Sequence, residues 1–131
     1  MRSSRMSVRL LRPKQSMPSK AEAAALRDIL HHIDLAQQFA QSQDHQVFLS
    51  DLRTVYAVTR CLEIISEASR RLPIEIKSRH PEIPWRQMAG AGNVYRHDYE
   101  DVAARFVWET VQRDLPPLRL VIQHEIDRLD R

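Results

Sequence analysis

Apolar residues recur along this chain at intervals of three and four, with almost no strict alternation. Leu26, Ile29, Leu30, Ile33, Ala36, Phe39 and Ala40 fall on one side of a 3.6-residue helix. Ser19 followed by Glu22 is the capping-box pattern of a helix start. Together they predict a first helix running to about Gln43. A short linker follows, in which Phe48 and Leu49 are expected to plug the core. A second helix is predicted from Ser50 or Asp51 to Leu72, where Pro73 stops it. Its apolar set, Leu52, Val55, Tyr56, Val58, Thr59, Leu62, Ile65, Ala68 and Leu72, is broad enough for a central helix.

Pro73, Pro81 and Pro84 punctuate the next stretch and allow only one or two helical turns. Pro84 suits the first position of a short helix carrying Trp85, Arg86 and Met88, with Gly90 or Gly92 expected to end it. A third long helix is predicted from Glu100 and Asp101, acids that favour a helix N-terminus, with Val102, Ala103, Phe106, Val107 and Val111 inward. Pro116 and Pro117 are expected to break the chain. A last helix turns Leu118, Val121, Ile122, Ile126 and Leu129 inward. The fold class is therefore all-α: an up-and-down bundle of four main helices plus short helical turns.

Composition sharpens that picture. At 131 residues the chain is sized for one domain, assigned here to 19–131. Its only glycines are Gly90 and Gly92, which suits helices. With one cysteine, Cys61, no internal disulfide can form, and a reducing cytoplasm is the natural setting. No apolar run approaches the roughly 18 residues needed to span a bilayer, and no hydrophobic stretch follows the N-terminal arginines to make a secretory signal. The net charge of +3 is unevenly spread. Residues 1–20 hold Arg2, Arg5, Arg9, Arg12, Lys14 and Lys20 and no acid, whereas 21–131 carry a net −3. Residues 1–18 thus read as a basic, disordered extension, and the body lacks the broad positive surface of a general nucleic-acid binder. Any RNA contact is expected to be local.

The stretch from Gly90 to Asp101 concentrates the candidate chemistry. It gathers both glycines, Tyr95 and Tyr99, Arg96, His97 and three acids in a segment read as a connection between helices. His97 can move protons near neutral pH. The plainer reading is a polar connection whose glycines cap a helix. The other histidines offer less: His45, His80 and His124 have no partner legible at helical spacing, and Asp28 with His32 reads as a surface pair rather than a metal pair. Cys61 reads as a small buried apolar group. No Cys/His cluster of zinc type, phosphate-cradling glycine loop or serine elbow is present in the sequence, so no metal or cofactor is expected.

Five segments together resemble the HepT-like branch of the HEPN proteins. They are Leu26–Leu30, Arg60–Arg70, Ile83–Gly90, Asn93 with His97-Asp98-Tyr99, and Val107–Pro116, spread in order over about residues 20–125. The resemblance implies a helical bundle that pairs as a two-fold homodimer. It also implies a metal-independent ribonuclease toxin acting on RNA, encoded beside an MNT-type nucleotidyltransferase antitoxin. The family signature is an arginine, four to six residues, a histidine and, after one intervening residue, a tyrosine. His97 matches the histidine, and Tyr99 matches the tyrosine that the antitoxin silences by attaching AMP. Asn93 is expected to orient the substrate. Counting back from His97, the arginine would fall at Gly90, Ala91 or Gly92, with the tight spacing pointing at Gly92, and none is basic. Arg96 and Arg86 are the candidates to supply the missing charge. The alternative is a catalytically degenerate module that binds its nucleotidyltransferase without cleaving RNA.

Overall fold

The structure is a computed structural model that describes residues 19–97 and 100–131; the side chains of 92–102 also lie outside the described residues. The basic extension assigned to 1–18 therefore falls outside them. Every described element is helical: α1 (Lys20–Ala40), α2 (His45–Ser50), α3 (Leu52–Arg70), α4 (Ile74–Arg79), α5 (Trp85–His97), α6 (Glu100–Glu109), a π-helical turn (Thr110–Asp114) and α7 (Leu115–Leu129). The all-α expectation holds.

Helix α1 starts where the pattern places it. Ser19 Oγ accepts the Glu22 amide at 3.0 Å, satisfying one of the donors a helix start leaves open. Ala25, Leu26, Ile29, Ile33, Ala36 and Ala40 are buried against α3, its most extensive partner, and α7. Phe39, expected inward, is 42% exposed. It stands one residue, about 100° of helix, from the stripe that Ala36 and Ala40 continue. The helix also ends three residues before Gln43.

Asp51 caps α3, accepting from the Thr54 amide (3.3 Å) and hydroxyl (2.8 Å), with Gln43 Nε2 donating to it at 2.9 Å. These hydrogen bonds, Thr54's first, hold its carboxyl below the usual range. Val55, Val58, Cys61, Leu62, Ile65 and Ala68 are buried, but Leu52 and Tyr56 are 47% and 60% exposed. The inward stripe is therefore narrower than predicted at the first turns of α3. Phe48 of α2 is fully buried and Leu49 packs beside it, so this short helix does plug the core. Cys61 lies in that core, and burial pushes its thiol up.

Two expected breaks are absent. Helix α5 does not stop at Gly90 or Gly92 but continues to His97. A glycine ends a helix by taking a left-handed backbone, and no described residue has a positive φ. Nor does the Pro116-Pro117 pair break the chain. The Leu115 amide reaches back five residues to the Thr110 carbonyl, and α7 begins with both prolines in its first turn. Prolines lack the N–H that an uninterrupted α-helix would demand there. The wider π turn lets the helix absorb that loss instead of ending. Beyond it Leu118, Val121, Ile122 and Ile126 turn inward as predicted.

Candidate functional site

Helix α5 carries the candidate residues, and the fold fixes their register. Because α5 is helical to His97, Asn93 and His97 stand one turn apart along the same side. Arg96 precedes His97 directly, about 100° around the axis. Arg86 shares the angular position of His97 but lies eleven residues earlier, roughly 16 Å along the helix. Its side chain is exposed, at the opposite end of α5. Arg86 therefore does not meet His97 within one chain. The side chains of Asn93, Arg96 and His97, and the whole of Tyr99, lie outside the described residues.

Two features hold α5 in place. On one side, Trp85 and Met88 pack against the core, and Trp85 Nε1 donates to the His80 carbonyl at 2.9 Å. A largely apolar cleft of about 500 Å³ runs beside them, with Leu62, Ile65, Met88, Ala91, Phe106 and Leu118 in its walls. On the side toward α3, three donors converge on one carbonyl. Ser66 Oγ (3.0 Å), Arg70 Nε (3.1 Å) and Arg70 Nη2 (2.6 Å) all donate to the Ala89 oxygen. That oxygen points along the axis toward the turn bearing Gly92 and Asn93. Ser66 is in turn part of the buried face of α3, and its own carbonyl accepts from the Ser69 hydroxyl at 2.6 Å.

A second polar cluster lies away from α5's end. Glu125 of α7 is 2% exposed, yet its carboxylate is fully engaged. Arg79 meets it with both fork nitrogens, at 2.7 and 3.1 Å. His80 Nε2 is 2.6 Å from Oε2, and Arg128 lies at 3.6 Å. Burial pushes the Glu125 carboxyl up, but the hydrogen bonds and charges of Arg79 and His80 outweigh it and leave it below the ordinary range. His80, read from the sequence as lacking a partner, thus has one, and its ring also meets His124 edge-on at 5.8 Å. His45 likewise lies 5.5 Å from the Trp108 ring. One signal was available for Glu125. It sits among Val121, Ile122, Ile126 and Leu129 on an apolar stripe, where a carboxylate needs a cation.

The pair read as Asp28 and His32 dissolves. The Asp28 carboxylate goes to Arg71 at 3.2 Å, while His32 Nδ1 lies 2.8 Å from the Asp28 carbonyl. Among the described residues, no three His, Cys, Asp or Glu side chains gather closely enough to hold a metal ion, and no helix is long and apolar enough to cross a membrane.

The family model described as "Ribonuclease HepT-like" matches residues 21–125. A probable ribonuclease HepT of Thermococcus cleftensis is 44% identical over 94 residues, covering 72% of this chain and 86% of the relative. A candidate RNase of Methanocaldococcus jannaschii is 33% identical over 114 residues, or 87% of this chain and 98% of that one. Another, from Caldanaerobacter subterraneus subsp. tengcongensis, is 29% identical over 103 residues, covering 79% and 92%. No solved structure matches. A family model spanning residues 21–125, with relatives aligned along most of their own length, places this chain in the HepT-like ribonuclease family.

Proposed function

We propose that the chain is a metal-independent endoribonuclease, the toxin of a toxin–antitoxin pair, acting in the cytoplasm as a homodimer on unpaired RNA. The observation that carries this reading is the family match over residues 21–125, on a chain whose α5 ends on His97 with Asn93 one turn before it. Two copies bring their His97 side chains to a shared cleft. His97 takes the proton from a ribose 2′-hydroxyl. The freed oxygen attacks the adjacent phosphorus, and the bond to the 5′-oxygen breaks, leaving a cyclic phosphate and a 5′-hydroxyl once that oxygen is protonated. Asn93 orients the ribose, and Arg96 lends positive charge, as would Arg86 of the second copy across the dimer. An MNT-type nucleotidyltransferase places AMP on Tyr99, and the bulky anion blocks RNA by sterics and repulsion.

Purified protein is expected to cleave single-stranded RNA in EDTA, and His97→Ala to slow it at least about 100-fold, the usual worth of a positioned acid or base. Equal rates for the two would remove His97 from the mechanism. A second reading is favoured by Gly92, which stands where the family arginine is expected. In it the chain is a silent partner that docks its nucleotidyltransferase and accepts AMP without cleaving. Growth arrest on expressing the chain alone supports the toxin. A silent wild type awakened by Gly92→Arg supports the partner.

A further inference from the structure

Most arginines of the described residues that are held in place are held by an acid. Arg27 pairs with Asp130, Arg60 with Glu63, Arg71 with Asp28, Arg113 with Glu109, and Arg119 with Asp34. Arg70 is different. Its Nε and Nη2 grip the neutral carbonyl of Ala89, and among the described residues no carboxylate pairs with it. Its guanidinium is thus fixed in place with no carboxylate against it among the described residues. It is also exposed, and a guanidinium carries five N–H donors, so three remain after the two spent on Ala89. The grip sets that charge beside the turn of α5 that carries Gly92 and Asn93. A fork-shaped donor set already ordered by a backbone carbonyl suits a phosphate, because little rotamer freedom is left to lose on binding.

We propose that Arg70 is an RNA-binding residue: its spare N–H donors hold a backbone phosphate of the RNA strand against α5. The assignment deepens the ribonuclease reading and rests on it for the identity of the ligand. It gives the turn that carries Gly92 a cation from a neighbouring helix, at a position where Gly92 itself has no side chain.

The test measures affinity for a single-stranded 2′-O-methyl RNA oligonucleotide, which lacks the attacking hydroxyl, across a series of salt concentrations with the full chain. Arg70→Gln removes the charge yet keeps an amide able to donate to Ala89. It is expected to weaken binding roughly tenfold and to flatten the slope of log K against log salt by about 0.7, the loss of one single-strand phosphate contact. Arg70→Lys should keep the slope while losing part of the affinity. Arg71→Ala, which removes a charge already paired with Asp28, should leave the slope unchanged. A change in tethering alone would lower affinity without altering the slope. An unchanged slope in Arg70→Gln overturns the proposal, as does a wild type that does not bind the oligonucleotide.

Cleavage of ordinary RNA in EDTA is scored in parallel. Cleavage lost in His97→Ala with a normal Arg70→Gln slope sinks the Arg70 contact and spares the nuclease. No cleavage by wild type with a flattened Arg70→Gln slope does the reverse. Should Arg70→Gln melt well below the wild type, the slope of Arg70→Lys against Arg70→Ala decides.

Discussion

The two polar centres of this bundle are built on opposite plans. Around Glu125 a carboxylate almost sealed from water ties α7 to the end of α4 through Arg79 and His80, residues 46 and 45 positions away in the chain. At the C-terminal half of α5 the relation is inverted. The helix crosses two glycines, each worth about 1 kcal/mol of lost helix propensity, and it is tethered through one backbone oxygen to Ser66 and Arg70. The first centre joins distant segments and keeps its carboxylate from solvent. The second is locally costly and accumulates the polar side chains that could do chemistry. Stability and candidate function are lodged at different places in one small core, as expected where a site must keep groups that a core would reject.

Breaking the first centre should have the larger effect. Arg79→Ala strands a buried carboxylate with His80 as its remaining close partner, and the melting curve should register a loss of about 3 kcal/mol. Glu125→Gln keeps the shape and removes the charge, at an expected cost of about 2 kcal/mol. It also carries a pH signature. The folded Glu125 carboxyl lies below its ordinary value of 4.5, so its contribution is fully present above that pH and fades as pH falls through the lowered folded value. Urea melts of wild type and Glu125→Gln should therefore converge in acid and separate above about pH 5. A constant gap at all pH values would show that the charge does not matter.

At the α5 end the expected change is smaller and opposite in sign. A Cβ added at Gly90 would meet nothing within 4 Å, and the backbone there is ordinary helix. Gly90→Ala should therefore stabilise the protein by about 0.5–1 kcal/mol and slow amide exchange along α5. Destabilisation would mean that α5 leaves the helical form in solution.

How much of this was legible beforehand depends on the range of the interactions. The Ser19 start of α1 and the inward stripe of Leu118, Val121, Ile122 and Ile126 could be read because a cap bond and a helical period are set by residues within a turn or two. Gly90 and the Pro116-Pro117 pair were misread as breaks because their local preferences are real but weak against packing: α3 covers one end of α5, and a π turn absorbs the missing proline donors. Tyr56 and Phe39 were misread because an apolar position at the margin of a stripe is buried only if another helix reaches it.

By itself, then, the sequence determined the helical character and the period of the core-facing positions, since both are set by residue identity and the 3.6-residue repeat. The tertiary structure alone decided that α5 runs on to His97, that Arg86 stands too far along it to meet that histidine, and that Glu125 and Arg70 acquire their partners. Those outcomes depend on contacts between residues 19 to 46 positions apart, which no local pattern encodes.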